Sequence, residues 1–311
     1  MAVFLSYSDG NRLEEVMRMV LQLNPTDSPF TSGMMKDRVY NTLVQWPEDT
    51  LYPGSTRTAS GAGNAKVEGA DFSYPTLASP SRVTNVTQIF DKPYAVSSTE
   101  TWVKGAGVDN EFLYQQQKAL LEIGTDVEHT MLRGSRSSGN ASVARRLAGA
   151  LNFVTTNATS VASSTKLTES FFNGQGENIY GQGGRPDEVY VGARLKRIIT
   201  SFTAGSTKNV ASEDKRLTNA VDVYESDFGL MKILLSRDMP TGTNGNSEGL
   251  LMIQNRSFRM GVGEAIHILP QGEVAQTGHS RKGALRGELT LKVLGERHGA
   301  KVLGLSQVYP S

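Results

Sequence analysis

The sequence contains no cysteine, which excludes disulfides, thiolate nucleophiles and cysteine-ligated metal sites. Its net charge is only +1, so no overall basicity indicates a nucleic-acid reader. No apolar run approaches the roughly 20 residues that a membrane-spanning helix needs. The opening stretch MAVFLSYSDGNRLEEV has neither the basic start nor the apolar core of a secretion signal, so we expect synthesis in the cytoplasm.

Recognisable catalytic motifs are also lacking. The four histidines lie far apart in the sequence and do not have the spacing of metal ligands: His129, His267, His279 and His298. There is no G-x-S-x-G nucleophile elbow. The stretch GAGNAK (61–66) lacks the Lys-Ser/Thr pair of a phosphate loop, and GQGG (181–184) does not complete a dinucleotide fingerprint. We therefore expect no catalytic, cofactor-binding or metal-binding residues.

What the sequence does contain is a mixed α+β pattern. The chain of 311 residues is long enough for one large domain or two. Apolar spacing predicts helices at 10–23, 167–180 and 192–202. Alternating and β-branched runs predict strands at 38–46, 67–74, 82–90, 189–191, 249–254, 258–270 and 287–306, and two more around a turn within 220–240. In the range 287–306, Leu289, Leu291 and Val293 are expected to face the core and Thr290 and Lys292 the solvent.

A long amphipathic helix over 109–132 is the clearest element. Asp109 is the expected N-cap, and the helix would be about 36 Å long. Its predicted apolar stripe consists of Leu113, Gln116, Leu120, Ile123, Val127 and Thr130, flanked by Phe112, Ala119 and Met131.

Two further segments have unusual composition. Residues 53–66 are mostly Gly, Ala, Ser and Thr, which predicts a mobile tip on a long excursion, with an ordinary surface loop as the alternative. Residues 133–146 contain Arg133, Arg136, Arg145 and Arg146 and no acidic residue. This loop would meet phosphate or an acidic neighbour, or else be an ordinary solvated loop.

The order of these segments resembles the major capsid proteins of tailed bacteriophages with the Hong Kong 97 fold, and within them the SU10-like family. The residues that carry the resemblance are LNPTDSPF (23–30), VQWPEDTL (44–51), EGAD (68–71), NVTQIFDKPYAVSSTE (85–100), YQQQKALLEIGTDVEHTML (114–132), RRLAGALNFVTTN (145–157) and GGRPDEVYVGARLKRIITSF (183–202). The resemblance in the order of the segments covers nearly the whole chain.

The resemblance implies a division of the chain into five segments. They are an N-terminal arm (1–36), an extended E-loop (37–82), a peripheral domain with its spine helix (83–160), an axial domain (161–275) and a return to the peripheral domain (276–311). The arm and the E-loop would reach neighbouring subunits, and the axial domain would meet its copies at five-fold and six-fold centres. The short arm implies that scaffolding is a separate protein.

The function implied by the resemblance is self-assembly into hexamers and pentamers of an icosahedral or prolate head that encloses double-stranded DNA. The implied partners are further copies of the chain, separate scaffolding, portal and decoration proteins, and DNA bound without sequence specificity. Neither a membrane nor a cofactor is implied. The predicted inter-subunit contact residues are Trp46, Arg57, Lys66, Arg133, Arg136, Arg145 and Arg146. The alternatives are an encapsulin-like compartment around an enzyme cargo, an enzyme with an unrecognised site, and another virion component such as a tail tube or fibre.

Overall fold

The computed structural model describes residues 27–49, 66–72, 74, 79–103, 110–162, 164–202, 223–240, 247–270 and 272–306. Their helices are α1 (Pro29–Gly33), α2 (Glu111–Arg133), α3 (Ala150–Phe153), α4 (Glu169–Gly181) and α5 (Ala193–Phe202). Their strands are β1 (Met35–Arg38), β2 (Leu43–Glu48), β3 (Ser81–Val86), β4 (Gln88–Ser97), β5 (Ala158–Ser160), β6 (Glu188–Val191), β7 (Val223–Ser226), β8 (Gly229–Leu235), β9 (Ser247–Ile253), β10 (Phe258–Ile268), β11 (Ser280–Val293) and β12 (Gly299–Ser306).

The chain forms two compact units. The smaller contains Phe90–Asp126 and Ile266–Gly287. In it, the Phe112 ring packs between Tyr94, at 5.1 Å between ring centroids, and the guanidinium of Arg281, at 4.1 Å from the ring centroid. The ammonium of Lys92 on β4 pairs with Asp126 on α2 at 2.9 Å. These contacts hold the first part of α2 against β4 and β11.

The larger unit contains a six-stranded mixed sheet in the order β5-β12-β9-β6-β8-β7. Strand β6 runs parallel to β8 and antiparallel to β9. Helices α4 and α5 contribute to its core, in which Val189, Leu195 and Ile198 are fully buried. The predicted strand at 189–191 and the helix that follows it are therefore confirmed, because both bury the apolar positions that the spacing identified.

A four-stranded sheet has the order β1-β10-β11-β4, with β1 parallel to β10. On β11, Leu289, Leu291 and Val293 are buried as predicted. The prediction that Thr290 faces solvent is wrong, because this residue is fully buried and its Oγ1 donates to the Val86 carbonyl at 2.8 Å. Both faces of this strand are covered, so alternation of side chains does not separate buried from exposed residues.

Strands β2 and β3 form a separate antiparallel pair, with Leu43 opposite Val86 and Glu48 opposite Ser81. The single strand predicted at 38–46 is wrong, since β1 ends at Arg38 and β2 starts only at Leu43. The expectation of an extended segment at 67–74 is also wrong in part, because a turn occupies residues 68–69. The β2–β3 pair supports the predicted hairpin-like excursion, since it brings the two ends of that excursion together.

Helix α2 confirms the predicted long helix, but the face that it buries is shifted around the helix axis from the predicted stripe. Its described buried apolar residues are Phe112, Ala119, Ile123, Val127, Met131 and Leu132. Leu113 and Leu120 were expected in the core and are 52% and 54% exposed. Two adjacent apolar rows run along this helix, and the packing of Phe112 on Tyr94 selects the row that is buried. The N-cap is Asn110, whose Oδ1 accepts from Leu113 N at 3.2 Å, and Asp109 lies outside the described residues.

The division of the chain into five segments stays a prediction, and two strands can be located relative to it. Strand β12, assigned to the returning segment 276–311, lies in the six-stranded sheet. Strand β10, assigned largely to the axial segment 161–275, lies in the four-stranded sheet. The helix predicted at 10–23 and the glycine-rich stretch 53–65 fall outside the described residues.

Candidate interaction surfaces

Within the described ranges, no group of three or more His, Asp or Glu residues is arranged to hold a metal ion. One pair has the residue types of a hydrolase: Ser257 Oγ and His298 Nδ1 lie 2.9 Å apart. Burial, together with the charge of Arg256, lowers the pKa of His298 below its usual value. Ser257 is only 4% exposed, so its hydroxyl is not accessible to a substrate. The geometry suits a structural hydrogen bond that holds the short 3₁₀ helix Asn255–Ser257.

Of the helices that the structure describes, none combines the length and the apolar character that crossing a bilayer requires.

A buried carboxylate anchors the first described helix. Glu128 on α2 is fully buried, and its oxygens accept the backbone N–H groups of Phe30 and Thr31, each at 2.8 Å. Burial raises the pKa of Glu128, and these hydrogen bonds oppose that shift. The Phe30 ring meets the Tyr190 ring edge-on at 5.2 Å between centroids. Helix α1 is thus fixed to α2 and to β6 inside the larger unit.

A second anchor lies at the end of α1. The Asn255 side chain donates to the Gly33 carbonyl at 3.1 Å and to Glu188 at 3.0 Å. Tyr190 donates its hydroxyl to the other oxygen of Glu188 at 2.6 Å. Burial raises the pKa values of Glu188 and Tyr190, in keeping with their enclosed positions. The last part of the predicted N-terminal arm (1–36) is therefore held at both ends of α1.

Trp46 holds the β2–β3 pair to its own subunit. Its indole N–H donates to the Val293 carbonyl at 2.9 Å, and its ring centroid lies 6.0 Å from that of Phe153. The side chain is 6% exposed, so little of its surface is left for a neighbour. The structure gives Trp46 an intramolecular role, and its predicted contact with a second subunit stays a prediction.

Asn85 fixes the other strand of the pair. Its amide group donates to the carbonyls of Ala148 at 3.1 Å and Leu291 at 2.8 Å, and its Oδ1 accepts from Ala148 N and Val86 N at 2.9 Å. The residue is fully buried. All of its hydrogen-bonding capacity is therefore used to join three separate chain segments.

The loop that contains the four arginines, which we call the arginine loop (133–146), has a well-defined backbone. Ser137 and Arg146 exchange two backbone hydrogen bonds of 2.9 and 3.0 Å, and Asn140 Oδ1 accepts from the backbone N atoms of Ser142 and Val143 at 2.8 Å. Gly149 donates to the Gly134 carbonyl at 2.8 Å, which closes the base. The loop is a short, braced hairpin.

Three of the four arginines of this loop point into solvent. Arg133, Arg136 and Arg146 are exposed. Arg145 is partly buried and pairs with Glu288 at 2.7 Å, and that carboxylate also accepts the Thr87 hydroxyl at 2.5 Å. The structure therefore separates one arginine that braces the loop from three that present charge.

Lys66 begins a second exposed region, the acidic–aromatic segment (66–74), of which residue 73 is not described. Lys66, Glu68 and Asp71 are exposed, and Phe72 and Tyr74 are 86% and 90% exposed. Arg57 lies outside the described residues. Among the described residues, no hydrogen bond or ion pair joins the acidic–aromatic segment to the arginine loop within the subunit.

Sequence reasoning missed several anchoring residues. Glu128 was detectable in principle, since it places a carboxylate next to the apolar row of α2. Asn85 and Glu288 carry no such signal, because their partners are distant in sequence and the pairing depends on the folded chain.

A known protein family matches almost the whole chain. The family model, described as SU10 major capsid protein, covers residues 4–306. A major capsid protein of Escherichia phage Phieco32 is 30% identical over 132 residues, which are 42% of this chain and 36% of that protein. The match therefore spans about a third of the length of that relative.

Solved structures also resemble the whole chain. The capsid of Myoviridae phage XM1 matches with a TM-score of 0.61 and 12% identity, over 98% of this chain and 99% of that one. The holo-SrpI encapsulin complex from Synechococcus elongatus PCC 7942 matches with a TM-score of 0.60 and 8% identity, over 100% and 99%. At such identities the likeness shows the fold alone, and the predicted Hong Kong 97 capsid fold is confirmed.

Proposed function

The chain belongs to the SU10 major capsid protein family, and from that membership we propose that it assembles with copies of itself into the shell of a tailed-phage head. The observation that carries this proposal is the match to the family over residues 4–306, together with a capsid fold that covers the chain. The protein acts in the virion as a structural component.

The surfaces of the subunit support this role. An excursion leaves the body through the β2–β3 pair and exposes Phe72 and Tyr74, which a soluble monomer would ordinarily bury. A braced loop presents Arg133, Arg136 and Arg146. Shells made from many copies need only modest contacts per subunit, because each further contact forms at a high effective concentration.

The finer arrangement is also proposed from the family. The subunits form hexamers and pentamers around double-stranded DNA that is bound without sequence specificity. Scaffolding, portal and decoration proteins are separate partners. Residues 1–36 act as the arm and 37–82 as the E-loop, while 83–160 with 276–311 form the peripheral domain and 161–275 the axial domain. The sheets support one adjustment, in which β12 is grouped with the axial strands.

The proposed inter-subunit contacts include all seven residues that the sequence identified. Arg133, Arg136 and Arg146 have the strongest support, since they are exposed on a braced loop. Arg57 and Lys66 belong to the excursion. Trp46 and Arg145 have weaker support, because both make contacts inside the subunit.

We propose no enzymatic activity. The support is the structural family and the burial of Ser257, which keeps the Ser257–His298 pair from a substrate. Turnover of a small metabolite by the purified protein would contradict this part of the proposal.

A second candidate, an encapsulin-like compartment, is favoured by the encapsulin among the structures of similar fold. The two functions differ in what the particles enclose. Electron microscopy of particles from infected cells, combined with nuclease protection, separates them. Nuclease-protected DNA inside shells supports the phage head, a co-purified enzyme cargo supports the compartment, and the absence of shells contradicts both.

A deletion tests the role of the excursion. Removal of residues 54–65 should leave soluble, folded subunits that no longer form stable shells, since the segment that reaches a neighbour would be shortened. Normal particles from this deletion would contradict the E-loop assignment.

A further inference from the structure

The acidic–aromatic segment has features of a binding epitope. Val67, Phe72 and Tyr74 are 81%, 86% and 90% exposed, so three large apolar side chains lie in solvent within nine residues. A turn with Ala70 N donating to the Val67 carbonyl at 3.1 Å shapes the segment. Exposed apolar groups at this density mark interaction sites, because leaving them in water is unfavourable.

The charge of this segment restricts its partner. Glu68 and Asp71 are exposed, and among the described residues neither has an ion-pair partner. Glu68 and Asp71 outweigh Lys66, so the segment carries a net negative charge that repels a phosphate backbone and attracts a cationic surface. Arginine suits such a partner best, because its planar guanidinium pairs with a carboxylate through two hydrogen bonds and also stacks on aromatic rings.

The arginine loop provides a surface of this kind. Its range 133–146 contains four arginines and no acidic residue, and Arg145 is neutralised inside the subunit by Glu288 at 2.7 Å. Arg133, Arg136 and Arg146 are exposed, and in the described ranges they lack an acidic partner. Three positive charges of this loop therefore remain for a neighbour.

The loop is also organised before binding. The two hydrogen bonds between Ser137 and Arg146, and those that Asn140 accepts, hold its backbone without help from a partner. A braced loop loses little conformational entropy when it binds, so more of the interaction energy contributes to affinity.

We propose that the arginine loop of one subunit binds the acidic–aromatic segment of a second copy of this chain. Glu68 and Asp71 of the second copy pair with Arg133, Arg136 and Arg146, and the rings of Phe72 and Tyr74 pack against the guanidinium groups. This contact rests on the proposed shell function and assigns a receiving surface to the excursion.

Charge complementarity selects a second copy over nucleic acid as the partner. Both surfaces belong to the same chain, so each subunit supplies one loop and one segment in equal number. The net negative charge of the acidic–aromatic segment opposes binding to DNA, and the net charge of +1 on the chain gives no general attraction to it. Complementary charges at the interface also guide the subunits into the correct register.

Charge reversal tests the pairing. The variants Arg136→Glu/Arg146→Glu and Glu68→Arg/Asp71→Arg should each lower the yield of sedimenting shells by at least about tenfold, because like charges then face each other. The variant that combines all four substitutions should recover most of the yield. The matched control is Arg185→Glu/Arg286→Glu, which reverses two exposed arginines outside the loop and should assemble as the wild type does.

Thermal unfolding of each unassembled variant checks that the subunit folds. If the arginine reversal does not fold, Arg136→Gln/Arg146→Gln replaces it. The proposal then requires that this variant forms fewer shells than the wild type, and that its yield of shells changes less with salt concentration. Normal assembly of folded single-surface variants, or no recovery in the combined variant, would overturn the proposal.

The shells formed by the wild type and the variants also show whether the arginine loop binds DNA instead. They separate a failure of this pairing from a failure of the proposed function. Normal shells with reduced DNA content in the arginine variant would assign the loop to nucleic acid and overturn the pairing. Failure of the wild-type chain to form shells would instead contradict the proposed function. A wild type that assembles beside variants that also assemble overturns the pairing alone.

Discussion

Thr31 donates two hydrogen bonds to one carboxylate oxygen of Glu128, from its backbone N and from its Oγ1, each 2.8 Å long. The other oxygen accepts the backbone N–H of Phe30 at 2.8 Å. Glu128 is fully buried, and its carboxylate satisfies the buried N–H of Phe30 and two partly buried donors of Thr31. The start of α1 therefore depends on a residue 97 positions away in the sequence.

Replacement of Glu128 by alanine should destabilise the subunit. The change leaves the buried N–H of Phe30 and two partly buried donors of Thr31 without this acceptor, so we expect the free energy of unfolding to fall by about 2–3 kcal/mol. Urea denaturation of unassembled subunits measures this. The control Glu128→Gln keeps an acceptor and the side-chain volume without a charge, and it should cost less. Equal losses for both variants would contradict the role of Glu128 as the acceptor that anchors α1.

The same carboxylate predicts a pH dependence. Burial raises the pKa of Glu128 above its ordinary value of 4.5, with hydrogen bonds from Thr31 and Phe30 opposing the shift. The folded state therefore binds this proton more tightly than the unfolded state. Its contribution to stability is fully present below the ordinary pKa and is lost as the pH rises through the raised pKa. The free energy of unfolding should fall more steeply with rising pH in the wild type than in Glu128→Gln, which has no carboxyl group at this position. Equal slopes of the free energy against pH for the two proteins would contradict this prediction.

The buried amide of Asn85 gives a third prediction. In Asn85→Leu, the side chain keeps its size, but the backbone groups of Ala148, Leu291 and Val86 lose their hydrogen-bond partner. We expect the free energy of unfolding to fall by about 3 kcal/mol. The control Gln88→Leu removes a single hydrogen bond, from Leu147 N at 3.1 Å, and should cost about 1 kcal/mol. Chemical denaturation that ranks the two in the opposite order would refute the role of Asn85.

The rotation of α2 yields a paired test. Ile123 is 1% exposed and Leu120 is 54% exposed. Ile123→Ala should lower the free energy of unfolding by about 2–5 kcal/mol, because it leaves a cavity in the core. Leu120→Ala should change it by no more than about 0.5 kcal/mol. If thermal melts show that both variants lose similar amounts of stability, both residues lie in the core and the stripe predicted from the spacing is correct.

Two glycines should respond to alanine with opposite signs. Gly139 has φ +70°, and a Cβ there would lie 2.7 Å from the Cγ of Arg145, so Gly139→Ala should destabilise the subunit by about 1–2 kcal/mol. Gly124 lies inside α2, where an added Cβ meets no atom within 4 Å, so Gly124→Ala should stabilise by about 0.5–1 kcal/mol. Differential scanning calorimetry of the two variants, compared with the wild type, measures both signs.

Much of the secondary structure follows from local sequence. The strand at 189–191 with its following helix, the turn between β7 and β8 and the long helix α2 are all visible as apolar spacing or turn residues. The resemblance to capsid proteins identified the fold, because the order of those segments along the chain is specific even though each segment alone is weak.

The sequence identified the candidate surfaces only in part. The arginine loop stands out by composition, but the division between Arg145, which braces it, and Arg146, which is exposed, depends on the distant Glu288. Trp46 has the residue type of a contact site, yet its indole is turned to Val293 in its own subunit. Composition indicates which side chains could bind a partner, whereas packing decides which of them remain available.

The sequence by itself determined the kind of elements, their order and the family, since periodicity, turn residues and segment order are local properties of the chain. Tertiary structure decided which of two apolar rows of α2 is buried, that Thr290 lies in the core, and that Glu128 and Asn85 hold distant segments together. The physical reason is that burial is a property of pairs of surfaces. A side chain is removed from water only by a partner, and these partners lie tens to hundreds of residues away.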